Sequence, residues 1–497
     1  MRELLTSSPA GWRRAMAVGP ALVLFFLMLV VPTAYRPLKV VLIVAVLATI
    51  AGSVYRSPGR RRLDPAVIAW VAAYIVAGVF FVVLGRLHHA PGALRESTVY
   101  VFWPVLFTIF VAGASDLHIL RSLERVFLPA LLAITLYSLA FIAMTGNFIN
   151  PASFLPDLHQ QARVVFYKGY VQFNVNSLAT VLFVVPYLVA TLMVGVTSTD
   201  AHNDSAAAPL RQRTWLRRVA IGTALCLGLL LTVLSLRRSL VVVAALSPFI
   251  TIGLLFLLPV RIDRRGWLRL FQLAVGLGVL IVVLTVVSHF EFGVAPDTLS
   301  TKVAQGFDIT STEPGPSTRV DQFHYLIAGW EKSPIFGSGY GAVVPGFQPR
   351  PDVVEGVRLG VTQPWSYELS YVALLYHTGL FGLGLYAAGV LWIFWSALRI
   401  IRTGHPLARR VIPVLVGTAC FLIANATNPY LEKYDYMWVI FLPLAYVNLW
   451  LLGERPQGPA WAQPLTARLR SQRRLAATMT ISSPIHGLDK SAKRSPN

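Results

Sequence analysis

Twelve stretches of roughly twenty apolar residues punctuate this 497-residue chain. They lie at about 17–34, 38–54, 66–85, 97–114, 126–145, 175–196, 219–236, 239–259, 270–288, 366–396, 411–427 and 437–452. A hydrocarbon core about 30 Å thick is crossed by roughly 20 residues of helix. Inside it, each backbone N–H and C=O must find a partner within the protein. The pattern therefore predicts an all-α, polytopic membrane helix bundle of about twelve spans. Charged residues make up only 13% of the chain, about half the share that clothes a water-facing domain, which excludes a string of soluble domains. Two cysteines, Cys226 and Cys420, both in apolar runs, cannot build a disulfide framework or a zinc site and read as lipid-facing or packing residues. The first span follows Arg2, Arg13 and Arg14 in the manner of a secretory leader. No small-residue cleavage site follows it and a second span comes at once, so it reads as a retained helix.

Charge placement orients the bundle. The net charge is +21, which by itself allows a nucleic-acid, acidic or anionic-membrane partner. With both termini inside, the inside segments hold 29 of the 43 basic residues, among them Arg56, Arg60 to Arg62, Arg211 to Arg218, Arg261 to Arg269 and Arg399 to Arg410. This is the positive-inside asymmetry. Counting acids as well leaves the inside at +20 and the outside near neutral. The excess charge is a topological signal, and no nucleic-acid partner is expected.

Residues 1–452 then form the membrane domain and 453–497 a basic, Ser- and Pro-rich inside tail expected to be disordered and held near anionic lipid. The outside loop 289–365 is long enough to carry structure and function. Ser317 to Lys332 predicts an amphipathic helix capped by Ser317 or Thr318, with an apolar stripe of Val320, Phe323, Leu326, Ile327 and Trp330, stopped by Ser333-Pro334. The glycines Gly337, Gly339 and Gly341 follow, and read as a tight turn at the membrane surface rather than a phosphate cradle, because no strand precedes them. A second outside loop, 146–174, is more elaborate than a simple turn.

Few residues carry chemistry. No nucleotide loop, zinc helix or nucleophile elbow is present, and His88-His89 has no third ligand nearby, so no metal and no cofactor is expected. Arg237 and Arg238 interrupt two apolar spans on the basic-poor side. Either they snorkel to head groups or they bind an anion such as a diphosphate, which the planar guanidinium suits. Arg319 is expected at the start of the loop helix, where a cation opposes the helix dipole and an anion would relieve it. Glu368 is expected at the start of the tenth span. There it either complements the dipole or, partly desolvated, serves as a general base. His377 reads as a buried helix contact.

Four motifs resemble the O-antigen ligase/polymerase superfamily of bacterial envelope enzymes. Phe173-Asn174-Val175-Asn176-Ser177-Leu178-Ala179 resembles that family's entry into a span. Arg238-Ser239 resembles its Ser-Arg turn, with Leu236-Arg237 departing from the usual Ser. Arg319, Trp330, Ser333-Pro334 and Phe336 to Gly341 resemble its Arg…Trp…Pro-x-Phe-Gly-x-Gly loop. Leu374-Leu375 with Gly379-Leu380-Phe381-Gly382 resembles the span after that loop. The resemblance covers about 160–450. Where ligases carry a His, eleven residues before that glycine, this chain has Glu368, and His377 stands where their Glu is found. With Asn425-Ala426-Thr427-Asn428-Pro429-Tyr430, this looks more like a polysaccharide polymerase than a ligase.

The resemblance implies a metal-independent membrane glycosyltransferase. It would extend a polyprenyl-diphosphate-linked glycan onto a glycan acceptor, at the outer face of a bacterial cytoplasmic membrane, among membrane lipids and alongside other polysaccharide-assembly proteins. Arg237, Arg238 and Arg319 would hold the diphosphate. Glu368 would take the acceptor's proton, with Tyr340, Tyr367 and Asn176 at the substrate. The alternatives are a ligase that transfers the finished glycan to another acceptor, and a twelve-helix transporter or flippase, against which stands the lack of a repeat between halves.

Overall fold

The computed structural model describes residues 9–32, 34–57, 61–145, 162–167, 170–197, 208–235, 237–259, 264–292, 314–347, 353–354, 357–358 and 364–454. The tail beyond Glu454, the loop 293–313 and all of 146–161 lie outside them, so the expected disordered tail does too. The described chain is overwhelmingly helical. The helices are α1 (Pro9–Val30), α2 (Arg36–Arg56), α3 (Pro65–Leu87), α4 (Ala93–Ser97), α5 (Trp103–Gly113), α6 (Leu117–Glu124), α7 (Phe127–Thr145), α8 (Leu178–Thr197), α9 (Ala208–Leu234), α10 (Arg238–Leu255), α11 (Arg264–Phe292), α12 (Pro314–Trp330), α13 (Ser370–Arg402), α14 (Ala408–Asn425) and α15 (Trp438–Glu454). A π-helical turn, Thr98–Phe102, joins α4 to α5. Two short antiparallel pairs complete the elements, Ala162–Tyr167 with Tyr170–Val175 and Val353–Val354 with Val357–Arg358. The first shows that the shorter loop does carry structure.

Among the described residues, ten helical stretches are long and apolar enough to cross a membrane, and Val18–Val30 and Val219–Leu234 are shorter apolar helices. The packing suits a lipid solvent. Helix α8 is buried along Leu178–Ala190, sandwiched among α10, α14 and α9. Small residues let these helices approach: a Cβ on Gly417 would meet the Phe183 ring at 2.9 Å. Cys420 is buried in this core with its thiol against the Val243 carbonyl. At the periphery, α2 and α11 turn Val40, Val41, Val44, Phe271, Val279 and Val282 outward, an apolar exterior that water would not tolerate. An apolar cleft of about 210 Å³ lies between α1, α2, α5, α6 and α15, lined by Phe25, Val46, Phe107, Leu120, Trp438 and Phe441 among others.

The glycine run is not a surface turn. Helix α13 is broken at Gly379 (φ 63, ψ −170), and the segment after α12 fills the break. Ser338 N donates to Tyr376 O at 2.9 Å and Gly339 N to His377 O at 2.8 Å, while Leu380 N and Phe381 N donate to Pro334 O and Ile335 O. Tyr340 N donates to Phe81 O on α3. Leu380 lies ten residues into α13, about 15 Å along a helix rising 1.5 Å per residue. The segment thus re-enters the bundle. Irregular backbone survives at such depth only where protein groups satisfy it, and the broken turn of α13 supplies those groups. Gly337, Gly339 and Gly341 all have positive φ and sit against the backbones of Gly379, Gly85 and Gly92.

Helix α12 also differs from expectation. It starts at Pro314, so Arg319 is in its second turn and the dipole argument for an anion there falls away. Its buried face is Gln322, Leu326 and Gly329, whereas Phe323 is 45% exposed. The face rotates because Gln322 is drawn inward: its Oε1 accepts the N–H groups of Glu368 and Leu369, at 2.8 and 3.3 Å, two of the donors that the start of α13 leaves without helical partners.

Among the described residues one ion pair is fully buried. Lys39 Nζ, on α2, reaches Asp435 Oδ1 at 3.1 Å and also donates to Val31 O at 2.9 Å. Removing one member strands a buried charge, which costs on the order of 3–5 kcal/mol, whereas an apolar pair of similar volume is tolerated. Lys39→Met or Asp435→Leu alone is therefore expected to lower the melting temperature sharply in detergent, and the double variant to recover most of the loss. Additive losses would contradict the pairing. Gly339→Ala would bring a Cβ to 2.2 Å from Gly85 N, whereas a Cβ on Gly346 (φ +80) meets nothing closer than 3.5 Å. Gly346→Ala is expected to cost about 1–2 kcal/mol from its φ alone and Gly339→Ala clearly more. Equal melting temperatures would refute the backbone docking.

Candidate functional site

The polar groups gather around the connection between α14 and α15. Asn425 Oδ1 accepts Leu431 N at 3.0 Å, folding Tyr430–Glu432 and Tyr434–Tyr436 into two short 3-10 turns with extended Lys433 between them. Tyr434 stacks on Trp103 with ring centroids 4.6 Å apart, and Asp435 is fixed by Lys39. Tyr436 Oη donates to the carbonyl of Asn176, so Asn176 joins the site through its backbone. Tyr430 Oη accepts Arg237 Nη1 at 2.9 Å. Arg237 precedes α10 in extended conformation and Arg238 is its first residue. Both are half-buried and engaged with the protein.

The segment before α13 closes on the same connection. Ser366 Oγ donates to Glu432 Oε2 at 2.9 Å. Burial, with the nearby Glu96 carboxylate, pushes Glu432 up to about 8, against the opposing pull of the Ser366 hydroxyl and Lys433. Burial likewise pushes the Lys433 ammonium down, helped by the Arg237 charge and opposed by Glu432 and Asp435. Two residues past Ser366, Glu368 accepts Arg319 Nε at 2.7 Å in an ion pair whose side chains are 48% and 32% exposed. Glu368 lies just before α13, not within its first turn. Its carboxylate is half-exposed and paired with Arg319, where a partly desolvated one was expected.

The structure therefore brings Arg319 to Glu368 and Arg237 to Tyr430, and links the two through Ser366 and Glu432. It does not bring Tyr340 or Tyr367 to an open surface. Each is about 1% exposed. Tyr340 stacks on Tyr100 with centroids 4.0 Å apart and donates to Tyr386 Oη at 2.9 Å. Tyr367 Oη accepts Val344 N at 2.8 Å. Both staple the re-entrant segment, since a buried phenol needs a partner. His377 is buried with Nδ1 3.0 Å from Gly339 O, a helix contact as expected. His88 Nδ1 meets the Ser338 carbonyl. Among the described residues no group of three or more His, Cys, Asp or Glu is placed to hold a metal.

Sequence reasoning passed over Glu96, Glu432 and Lys433. A signal was available: Tyr430 to Tyr436 packs Glu, Lys and Asp into one short turn between two apolar spans, a costly place for charge.

Glu432 offers a direct check. Folded, it keeps its proton to about pH 8; unfolded, only to its ordinary 4.5. Because the folded chain binds the extra proton between these values, the stability it contributes is full below about pH 4.5 and is lost as pH rises toward 8. The melting temperature of the chain is expected to fall more steeply from pH 5 to 8.5 than that of Glu432→Gln. Parallel profiles would rule out a buried neutral carboxyl.

Compared with family models, with curated proteins and with solved structures, the chain matches none.

Proposed function

We propose that the chain is an integral membrane glycosyltransferase that polymerises polyprenyl-diphosphate-linked oligosaccharide units at the outer face of a bacterial cytoplasmic membrane. In this reading the ten long apolar helices and the two shorter ones make the twelve spans, and the Lys/Arg asymmetry puts both ends inside. The site then lies outside, where the lipid-linked donor is presented. The observation that carries the reading is the meeting of Arg237, Lys433, Glu432, Ser366 and the Glu368–Arg319 pair at one end of the helix bundle.

The reaction needs little beyond these groups. An acceptor hydroxyl oxygen attacks the donor's anomeric carbon, and the bond from that carbon to the diphosphate oxygen breaks. The hydroxyl proton passes to the Glu368 carboxylate, which Arg319 orients. The electron pair leaves with the polyprenyl diphosphate, whose charge Arg237 and Arg238 hold. Cations fixed beforehand at the leaving group stabilise the charge as it develops. The energy comes from the donor bond, consistent with the absence of a nucleotide motif.

In cells that rely on this chain for their polymer, Glu368→Gln, Arg237→Ala and Arg238→Ala are each expected to cut polymer formation about 100-fold or more at unchanged membrane abundance. Full-length polymer from all three well-expressed variants would refute the mechanism.

A further inference from the structure

The charges around Lys433 do not balance. Asp435 is committed to Lys39 at 3.1 Å. Glu432 is held by Ser366 and keeps its proton at neutral pH. Neither is bonded to the Lys433 ammonium, which is half-buried between two tight turns, and burial and the Arg237 charge outweigh their attraction for it. Among the described residues the ammonium makes no hydrogen bond or ion pair; only the Lys433 backbone is bonded, its N donating to Tyr430 O and its O accepting Tyr436 N. Arg237 is close enough for its charge to act on Lys433; its guanidinium holds the Tyr430 phenol, and Tyr430 begins the turn that the Lys433 backbone N closes on the Tyr430 carbonyl. Two cations are thus brought together at the end of an apolar bundle, where desolvation makes like charges expensive. Arg319, by contrast, already has its counter-ion in Glu368.

We propose that Lys433 and Arg237 form a diphosphate subsite, with Lys433 as a cation of the clamp and Arg319 left outside it. The ligand class is the diphosphate head of an isoprenoid-linked glycan, and in this the inference rests on the glycosyltransferase reading. The division of labour is physical: the compact ammonium supplies a point charge and the planar guanidinium supplies paired donors. The protonated Glu432 beside them does not repel the anion.

The test is binding of farnesyl diphosphate to the full chain in nanodiscs, with inorganic pyrophosphate as competitor and farnesol as the probe lacking the charged head. Losing one charge-assisted contact is expected to weaken farnesyl diphosphate binding about 10- to 100-fold in Lys433→Met and in Arg237→Met. Lys433→Arg should retain most of the affinity, which separates charge from folding. Lys332→Met, an exposed lysine at the end of α12, should bind as the parent does, and farnesol binding should be the same in all. Pyrophosphate should displace farnesyl diphosphate from the parent chain. Parent-like affinity in Lys433→Met, or equal loss in Lys433→Arg and Lys433→Met, would overturn the subsite. Loss of binding in Lys433→Met, in a protein that forms no glycosidic bond, would keep the subsite and refute the glycosyltransferase reading alone. Normal binding in Lys433→Met, in a chain that does polymerise, would do the reverse.

Discussion

A lysine buried in an apolar bundle is tolerable only with a fixed counter-ion, and the closure of Lys39 on Asp435 is the constraint from which the polar end follows. It ties α2 to the α14–α15 connection at a single point. With Asp435 held there, the two short turns on either side of Lys433 have little choice of path. Tyr436 reaches the start of α8, and Tyr430 reaches Arg237 at the start of α10. Three distant parts of the chain thus meet through one seven-residue segment. That segment carries more charge than its surroundings would accept unless each group had a task or a partner.

A second constraint is steric. The Pro334–Gly341 segment threads into the broken turn of α13 because glycines with positive φ let backbone touch backbone at Gly85, Gly92 and Gly379. The amides of Gly337, Ser338, Gly339 and Tyr340 are spent on protein carbonyls and are not offered to a phosphate. The neighbourhood of Glu368 is braced by its own bonds: Gln322 accepts Glu368 N, and the Tyr367 hydroxyl accepts Val344 N. The Glu368–Arg319 pair stands on this brace, half in water.

Hydropathy made most of the bundle legible, because a lipid solvent imposes length and apolarity on each span. The loop helix was legible too, from the spacing of Leu326 and its neighbours, but not its start or its buried face. Periodicity favours Phe323, while the actual orientation is set by the long-range bond from Gln322 to Glu368, which no local pattern encodes. The glycine run announced a special backbone but not its depth, since re-entry depends on a break in a helix forty residues away. At the site, Arg237, Arg319 and Glu368 were found because charges in apolar sequence stand out. Lys39, Glu96, Glu432 and Lys433 are equally out of place, yet Lys39 and Glu96 sit in or beside an apolar stretch, and Glu432 and Lys433 in a connection too short to stand out. Tyr340 and Tyr367 misled for the opposite reason: aromatics near a glycine loop suggest sugar contacts, and here they serve packing.

In the proposed reaction the polar end of this bundle makes glycosidic bonds at the expense of a lipid-diphosphate linkage. The most direct measurement places the purified chain in liposomes with a polyprenyl-diphosphate oligosaccharide and follows both products. The account predicts chains of two or more repeat units, with one polyprenyl diphosphate released for each new linkage and no other energy source added. Movement of the intact lipid-linked oligosaccharide across the bilayer, with no new glycosidic bond and no released diphosphate, would contradict it.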